Sequence, residues 1–188
     1  GSRDLARDPV LGPWVKEIGT IRVPMGEEDP FPYLVRTICY QQLAGRAAST
    51  IHSRLVEALN GEVTTRKVLR VRESTLKKAG LSHAKCAAIR DLASKIKVGD
   101  VVVSDLHEQS DDEVIRRLVH VRGIGVWTAQ MYLMFRMHRP DVWPTGDLGV
   151  RKGFAKAHGL KDPPSASELE GLGEPYRPWR SAAAFYCW

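Results

Sequence analysis

The residues of this chain best able to do chemistry lie beyond residue 117. Gly123 and Gly125 bracket Ile124 inside "LVHVRGIGVWTA" (118–129). A tight turn of that kind between two helices directs backbone N–H groups outward at a helix N-terminus. Unpaired donors and the helix dipole there both favour an anion such as phosphate. The glycines permit φ > 0 and close approach of a sugar-phosphate backbone, while Ile124 plugs into the core. Taken alone, the pattern is equally well satisfied by a bare αα-hairpin turn. Asp147, in "VWPTGDLGVRKGF", is a carboxylate that can stabilise a cationic centre and orient or deprotonate a water. As an isolated residue after Gly146 it is more plainly a helix N-cap. Trp127 and Trp179 offer electron-rich faces for a cation. His83, His120 and His138 show no ligand spacing. Cys39, Cys86 and Cys187 are far apart and odd in number, so they form neither a metal cluster nor a disulfide framework.

Composition narrows the partner. Across 188 residues, Lys+Arg 28 against Asp+Glu 22 gives a net charge of +6, which favours an anionic partner without requiring one. At 43% hydrophobic the chain has the composition of an ordinary soluble protein, and no window reaches the apolar length of a membrane span. The scattered cysteines suit a reducing intracellular compartment, a bacterial cytoplasm or a nucleus. The Gly1-Ser2 opening reads as a scar of tag removal, so native targeting signals are not legible. The chain stops inside an apolar helix, and the natural protein is expected to continue.

The elements that must position these residues read as helices almost throughout. Apolar residues recur at helical spacing from Tyr33 to about Leu59, interrupted by a tight connection at "QQLAG" (41–45). Short helices are expected around Arg66–Val71 and Ser74–Ala79, and Ser82 reads as the N-cap of a helix carrying Cys86, Ile89, Leu92, Ala93 and Ile96. Val98–Val103 looks strand-like but has no second strand to pair with, so it is read as a loop. Ser110 with Glu113 predicts a capping box opening a helix through Val119. Helices are then expected over Trp127–Met137, from Asp147 to about Gly159, over Ser165–Leu169 and over Arg177–Trp188. Extended chain should fill His138–Gly146, and Asp162-Pro163-Pro164 is a linker.

The hairpin with its following aspartate resembles the helix-hairpin-helix DNA glycosylase superfamily. The likeness extends to "LVRTICYQQLAGRAASTIHSRL" (34–55), "LSHAKCAAIRDLASKI" (81–96) and "YRPWRSAAAFYCW" (176–188), and so covers most of the chain beyond about residue 30. Within that superfamily the chain is similar to the alkylation-repair branch, the 3-methyladenine DNA glycosylase II group of bacteria and yeasts. Unlike some members, it is not expected to carry an N-terminal β-rich domain.

The resemblance implies a set of roles. Asp147 stands where the family carries its catalytic aspartate. Glycosylases of the superfamily that also cut the strand use a Lys at the start of the second hairpin helix. Trp127 stands at that position here, so no Schiff base and no strand cleavage are expected. Trp127 and Trp179 would line the base pocket. So would Met131, at a position where some relatives have an aromatic residue. The turn at Gln41–Ala44 resembles the loop with the intercalating wedge, assigned to Gln42 or Leu43. Ala44 stands where some relatives are bulkier. Phosphate contacts fall to the backbone of Gly123, Gly125 and Val126 and to Arg122, with Arg151, Lys152 and Arg180 as plausible neighbours. The carbonyls of Val119, Val121 and Ile124 correspond to a monovalent cation site, and no side-chain metal site or other cofactor is expected.

The expected fold is all-α, two helical lobes with a helix-hairpin-helix motif and a DNA-binding cleft between them. Residues 31–137 form a central lobe ending in the hairpin, and 1–30 with 138–188 form a second lobe. The expected activity is monofunctional excision of alkylated, cationic purines from double-stranded DNA by a monomer, leaving an abasic site. Two rivals stay open: a non-catalytic helix-hairpin-helix DNA-binding module, and a glycosylase for oxidised or deaminated bases.

Overall fold

The computed structural model describes residues 1–24 and 28–188; residues 25–27, within the segment 1–30 assigned above to the second lobe, lie outside the described residues. The chain divides into two compact units, Gly26–Ala129 and Gly1–Met25 with Gln130–Trp188. Both are helical, and no strand occurs among the described residues. The all-α expectation holds.

In the unit 26–129, α3 (Pro30–Tyr40) and α4 (Gly45–Ala58) are separated by the expected break at 41–44. Two short helices follow, α5 (Thr65–Arg70) and α6 (Glu73–Lys78), then the long α7 (His83–Val98). Ser82 caps α7 as expected, its hydroxyl accepting the Lys85 N–H at 3.3 Å. Gly99, in the left-handed conformation, ends it. The apolar face of α7 (Cys86, Ile89, Leu92, Ala93) is buried, and α3, α5 and α6 pack against this helix. Arg90 fastens the α5–α6 connection to it by donating to the Val71 carbonyl at 2.9 Å. Of the stretch Val98–Val103 read as a loop, Val98 instead closes α7, and the rest is turn and loop after Gly99.

At α8 (Asp111–Val119) one expectation needs correcting. The Ser110 hydroxyl does accept the Glu113 N–H, but the Glu113 carboxylate does not return to Ser110. It bonds Arg116 at 2.7 Å and Arg117 at 2.6 Å instead, since two guanidinium groups one turn on outcompete a single backbone N–H. A reciprocal capping box does form at Ser165 and Glu168, opening α11 (Ala166–Leu172).

The other unit holds α1 (Ser2–Leu5) and α2 (Gly12–Ile18), which the sequence reading did not resolve, with α10 (Leu148–His158), α11 and α12 (Arg180–Cys187). α9 (Val126–Phe135) carries the boundary between the units within it. α12 begins three residues later than expected, because Pro178 and Trp179 belong to the preceding turn. Its core is Leu11, Tyr132, Leu133, Phe154, Ala183 and Ala184. Arg180 is 8% exposed, and its guanidinium meets Asp141 Oδ1 at 2.8 Å. That charge is spent on holding α12 to the 141–143 segment rather than displayed to a phosphate.

Candidate active site

The hairpin joins α8 to α9 and is held by side chains of its own unit. Lys95 Nζ donates to the His120 carbonyl at 2.6 Å, and the Asp91 carboxylate accepts the Arg122 N–H at 2.8 Å. Asp91 and Lys95 also pair with each other at 3.0 Å. Gly123 has φ of 79°, and a Cβ there would lie 3.0 Å from the Ala88 methyl, so conformation and α7 together demand glycine. Gly125 does not share the positive φ allowed for it above. It faces open space, and its lack of a side chain leaves the backbone approachable. Ile124 is buried, as expected.

Among the described residues, no partner satisfies the N–H groups of Gly123, Gly125 or Val126, whereas Val121 and Ile124 donate to Leu118 and Val121. The three open donors at the start of α9 are the arrangement that receives a phosphate. Arg122 is exposed beside them. Arg151 is turned to the Pro164 carbonyl at 2.6 Å, while Lys152 is exposed.

The turn between α3 and α4 belongs to the same unit. Gln42 sits at φ of 55°, a left-handed conformation unfavourable for a side chain of that size. Leu43 is 40% exposed, so it is not the core residue a simple inter-helix turn would make of it. Trp127 is 45% exposed on the first turn of α9, and Met131, one turn on, is buried. Trp179 is half-buried, against Gly1.

In the other unit, Asp147 caps α10. Its Oδ1 accepts the Val150 N–H at 2.9 Å and the Trp188 indole N–H at 2.8 Å. Trp188 was not singled out by the sequence reading. Its ring stacks on Phe135, with centroids 5.9 Å apart and planes at 22°. It reaches Asp147 because α10 and α12 approach very closely. A Cβ on Gly149 would lie 2.8 Å from the Trp188 ring, and one on Gly153 would run into the Cys187 carbonyl oxygen. Glycines four apart on α10 are the signal that could have pointed to it.

The acidic clamp on the hairpin makes its own prediction. Burial pushes the Asp91 carboxyl up, but the Arg122 N–H and Lys95 more than offset this, and its pKa lies below the ordinary 3.8. A depressed folded-state value gives stability that is complete above the unfolded value and lost as pH falls through the folded one. Asp91→Asn should therefore narrow its stability deficit to wild type as pH drops from 6 toward 3, read by urea melts at each pH. A deficit independent of pH would contradict the clamp.

The sequence profile of the HhH-GPD superfamily base excision DNA repair proteins matches residues 35–178. The chain belongs to this superfamily. Among individual members, this HhH-GPD protein is 32% identical over 179 residues to DNA-3-methyladenine glycosylase 1 of Schizosaccharomyces pombe, covering 93% of this chain and 78% of that one. To the DNA-3-methyladenine glycosylase of Saccharomyces cerevisiae it is 35% identical over 181 residues, 88% of this chain but 60% of the yeast protein. Its fold is similar to that of the S. pombe 3-methyladenine DNA glycosylase solved in complex with abasic DNA, with a TM-score of 0.85, 29% identity and 98% and 92% of the two chains covered. A Bacillus halodurans DNA-3-methyladenine glycosidase aligns with a TM-score of 0.86 at 30% identity, over 98% of this chain and 85% of its own.

Proposed function

We propose that this HhH-GPD protein is a monofunctional DNA glycosylase that excises alkylated, cationic purines such as 3-methyladenine and 7-methylguanine from duplex DNA. The observation that carries the reading is Asp147, a carboxylate fixed at the N-terminus of α10 by two N–H donors in a chain of a base-excision family. The relatives named as 3-methyladenine glycosylases supply the substrate class.

A purine alkylated on a ring nitrogen already carries the positive charge of a good leaving group. When the C1′–N9 bond breaks, the electron pair goes to the base and neutralises that charge. The sugar is left oxocarbenium-like, and the Asp147 carboxylate stabilises it and orients the attacking water. Water adds at C1′, its proton passes to Asp147 or solvent, and the product is an abasic site. Trp127 and Trp179 each offer a ring that attracts a cationic base by stacking and cation–π contact, and Met131 offers an apolar surface for it. Gln42 and Leu43 fill the gap left in the stack. The open N–H groups of Gly123, Gly125 and Val126, with Arg122, take the phosphates.

The hairpin carbonyls also fit a monovalent cation: Val119 and Ile124 accept no hydrogen bond among the described residues, and neutral hard oxygens are its natural ligands. Such an ion would tighten the turn that presents the N–H groups. Strand cleavage is not part of the activity, because an indole at 127 cannot form the imine that a lysine would. The protein would work as a monomer on DNA.

Trp188 acts here through Asp147. Trp188→Phe keeps a ring over Phe135 and removes the N–H donated to Oδ1, so base release should fall about tenfold, the worth of one hydrogen bond to a charged group. Melting should change little; unaltered single-turnover kinetics would contradict the assignment. The substrate class is tested by duplexes carrying one defined lesion each. Release of 3-methyladenine and 7-methylguanine is expected, and a preference for oxidised or deaminated bases would overturn it.

A further inference from the structure

Gln41 has no part in the roles assigned above, yet it joins two of them. Its side-chain amide donates to the Gly123 carbonyl at 2.9 Å and to the Thr128 hydroxyl at 3.3 Å, across 82 and 87 residues of sequence. Gly123 is the left-handed centre of the hairpin, and Thr128 is a buried residue on the first turn of α9. On the other side of Gln41 in sequence stand the strained Gln42 and the exposed Leu43.

Both ends of this link are themselves anchored to one helix. Lys85, Ala88, Asp91 and Lys95 recur at helical spacing along α7. Lys85 Nζ donates to the Cys39 carbonyl at 2.7 Å, fixing the end of α3 just before the turn. Ala88, Asp91 and Lys95 meet the hairpin as described. α7 therefore holds the start of the turn and the hairpin separately, and Gln41 closes the frame between them.

We propose that Gln41 is a positioning residue, fixing the wedge turn to the phosphate-binding hairpin so that grip on the backbone and insertion into the stack act in register. The inference rests on the glycosylase reading above. Extruding a base requires the turn to push on the stack while the phosphates stay pinned. A turn free to swing would relax its own strain at Gln42 rather than hold the base pair open. The role is thus specific to paired, stacked DNA. It should disappear when the lesion has no opposing base.

The test compares single-turnover release of 7-methylguanine paired with cytosine and of the same lesion opposite an abasic-site analogue. Gln41→Glu keeps the size of the side chain but replaces the amide donor with a carboxylate against the Gly123 carbonyl. Gln41→Ala removes the link altogether. Both variants are expected to lose about tenfold on the paired duplex and less than about twofold on the unpaired lesion. The ratio between substrates is the readout, and a general loss of folded protein leaves it unchanged. Equal losses on both substrates, or none on either, would overturn the proposal. A 2-aminopurine placed beside the lesion reports unstacking without base release, so this arm decides the role of Gln41 even if the glycosylase reading fails. Its fluorescence should rise on binding of the wild-type chain and much less with Gln41→Glu; equal rises would overturn the proposal.

Discussion

Asp147→Asn should lower release of 7-methylguanine by about two to three orders of magnitude, the scale of losing a group that stabilises charge developing in a transition state. The substitution isolates charge from structure unusually well. Asn is as good an N-cap as Asp, and its carbonyl oxygen can still accept from the Val150 N–H and the Trp188 indole. The melting temperature should therefore move by no more than a few degrees. On the proposed mechanism, what is lost is the negative charge that stabilises C1′. If Asp147 were a cap and nothing more, Asn would serve as well, and base release would continue undiminished. Single-turnover kinetics and a thermal melt on the same preparation separate the two.

Gly153→Ala should produce the largest stability effect. The new methyl would overlap the Cys187 carbonyl group, which is backbone and cannot rotate away. α10 and α12 would have to separate, and such overpacking costs about 1–3 kcal/mol, or roughly 3–10 °C in a chain of this size. The same separation draws Trp188 away from Asp147, so activity should fall in the fraction that remains folded. Gly171→Ala offers the control. A Cβ there, within α11, meets nothing within 4 Å. Melting the two variants side by side checks the claim, and equal melting temperatures would refute it.

What could be read from sequence follows from the range of the interactions involved. Helix starts set by one side chain and a backbone three residues on were legible, as Ser82 and Asp147 demonstrate. The capping box at Ser110 failed in its second half because Arg116 and Arg117 compete for Glu113, and pattern alone does not rank competing partners. Gly123 was legible as a turn residue, but the second reason for glycine there, the Ala88 methyl, comes from a distant helix. Trp188 escaped notice because its approach to Asp147 depends on Gly149 and Gly153 letting two helices nearly touch. Gln41 escaped for the same kind of reason, its partners lying more than eighty residues away. Arg180, read as a neighbour of the phosphate contacts, is held instead by Asp141, 39 residues away in sequence.

The most direct test of the central claim follows the DNA strand itself. Wild-type protein is incubated with a duplex bearing one 7-methylguanine in a labelled strand, and the strand is sized before and after brief treatment with an abasic-site endonuclease, which leaves an unexcised lesion intact. Free 7-methylguanine should appear while the strand stays intact, and a single break at the lesion should form only after the endonuclease. Intact strand after the endonuclease would mean that no base was excised, and a break already present before it would mean that the chain cuts DNA as well as clearing the base.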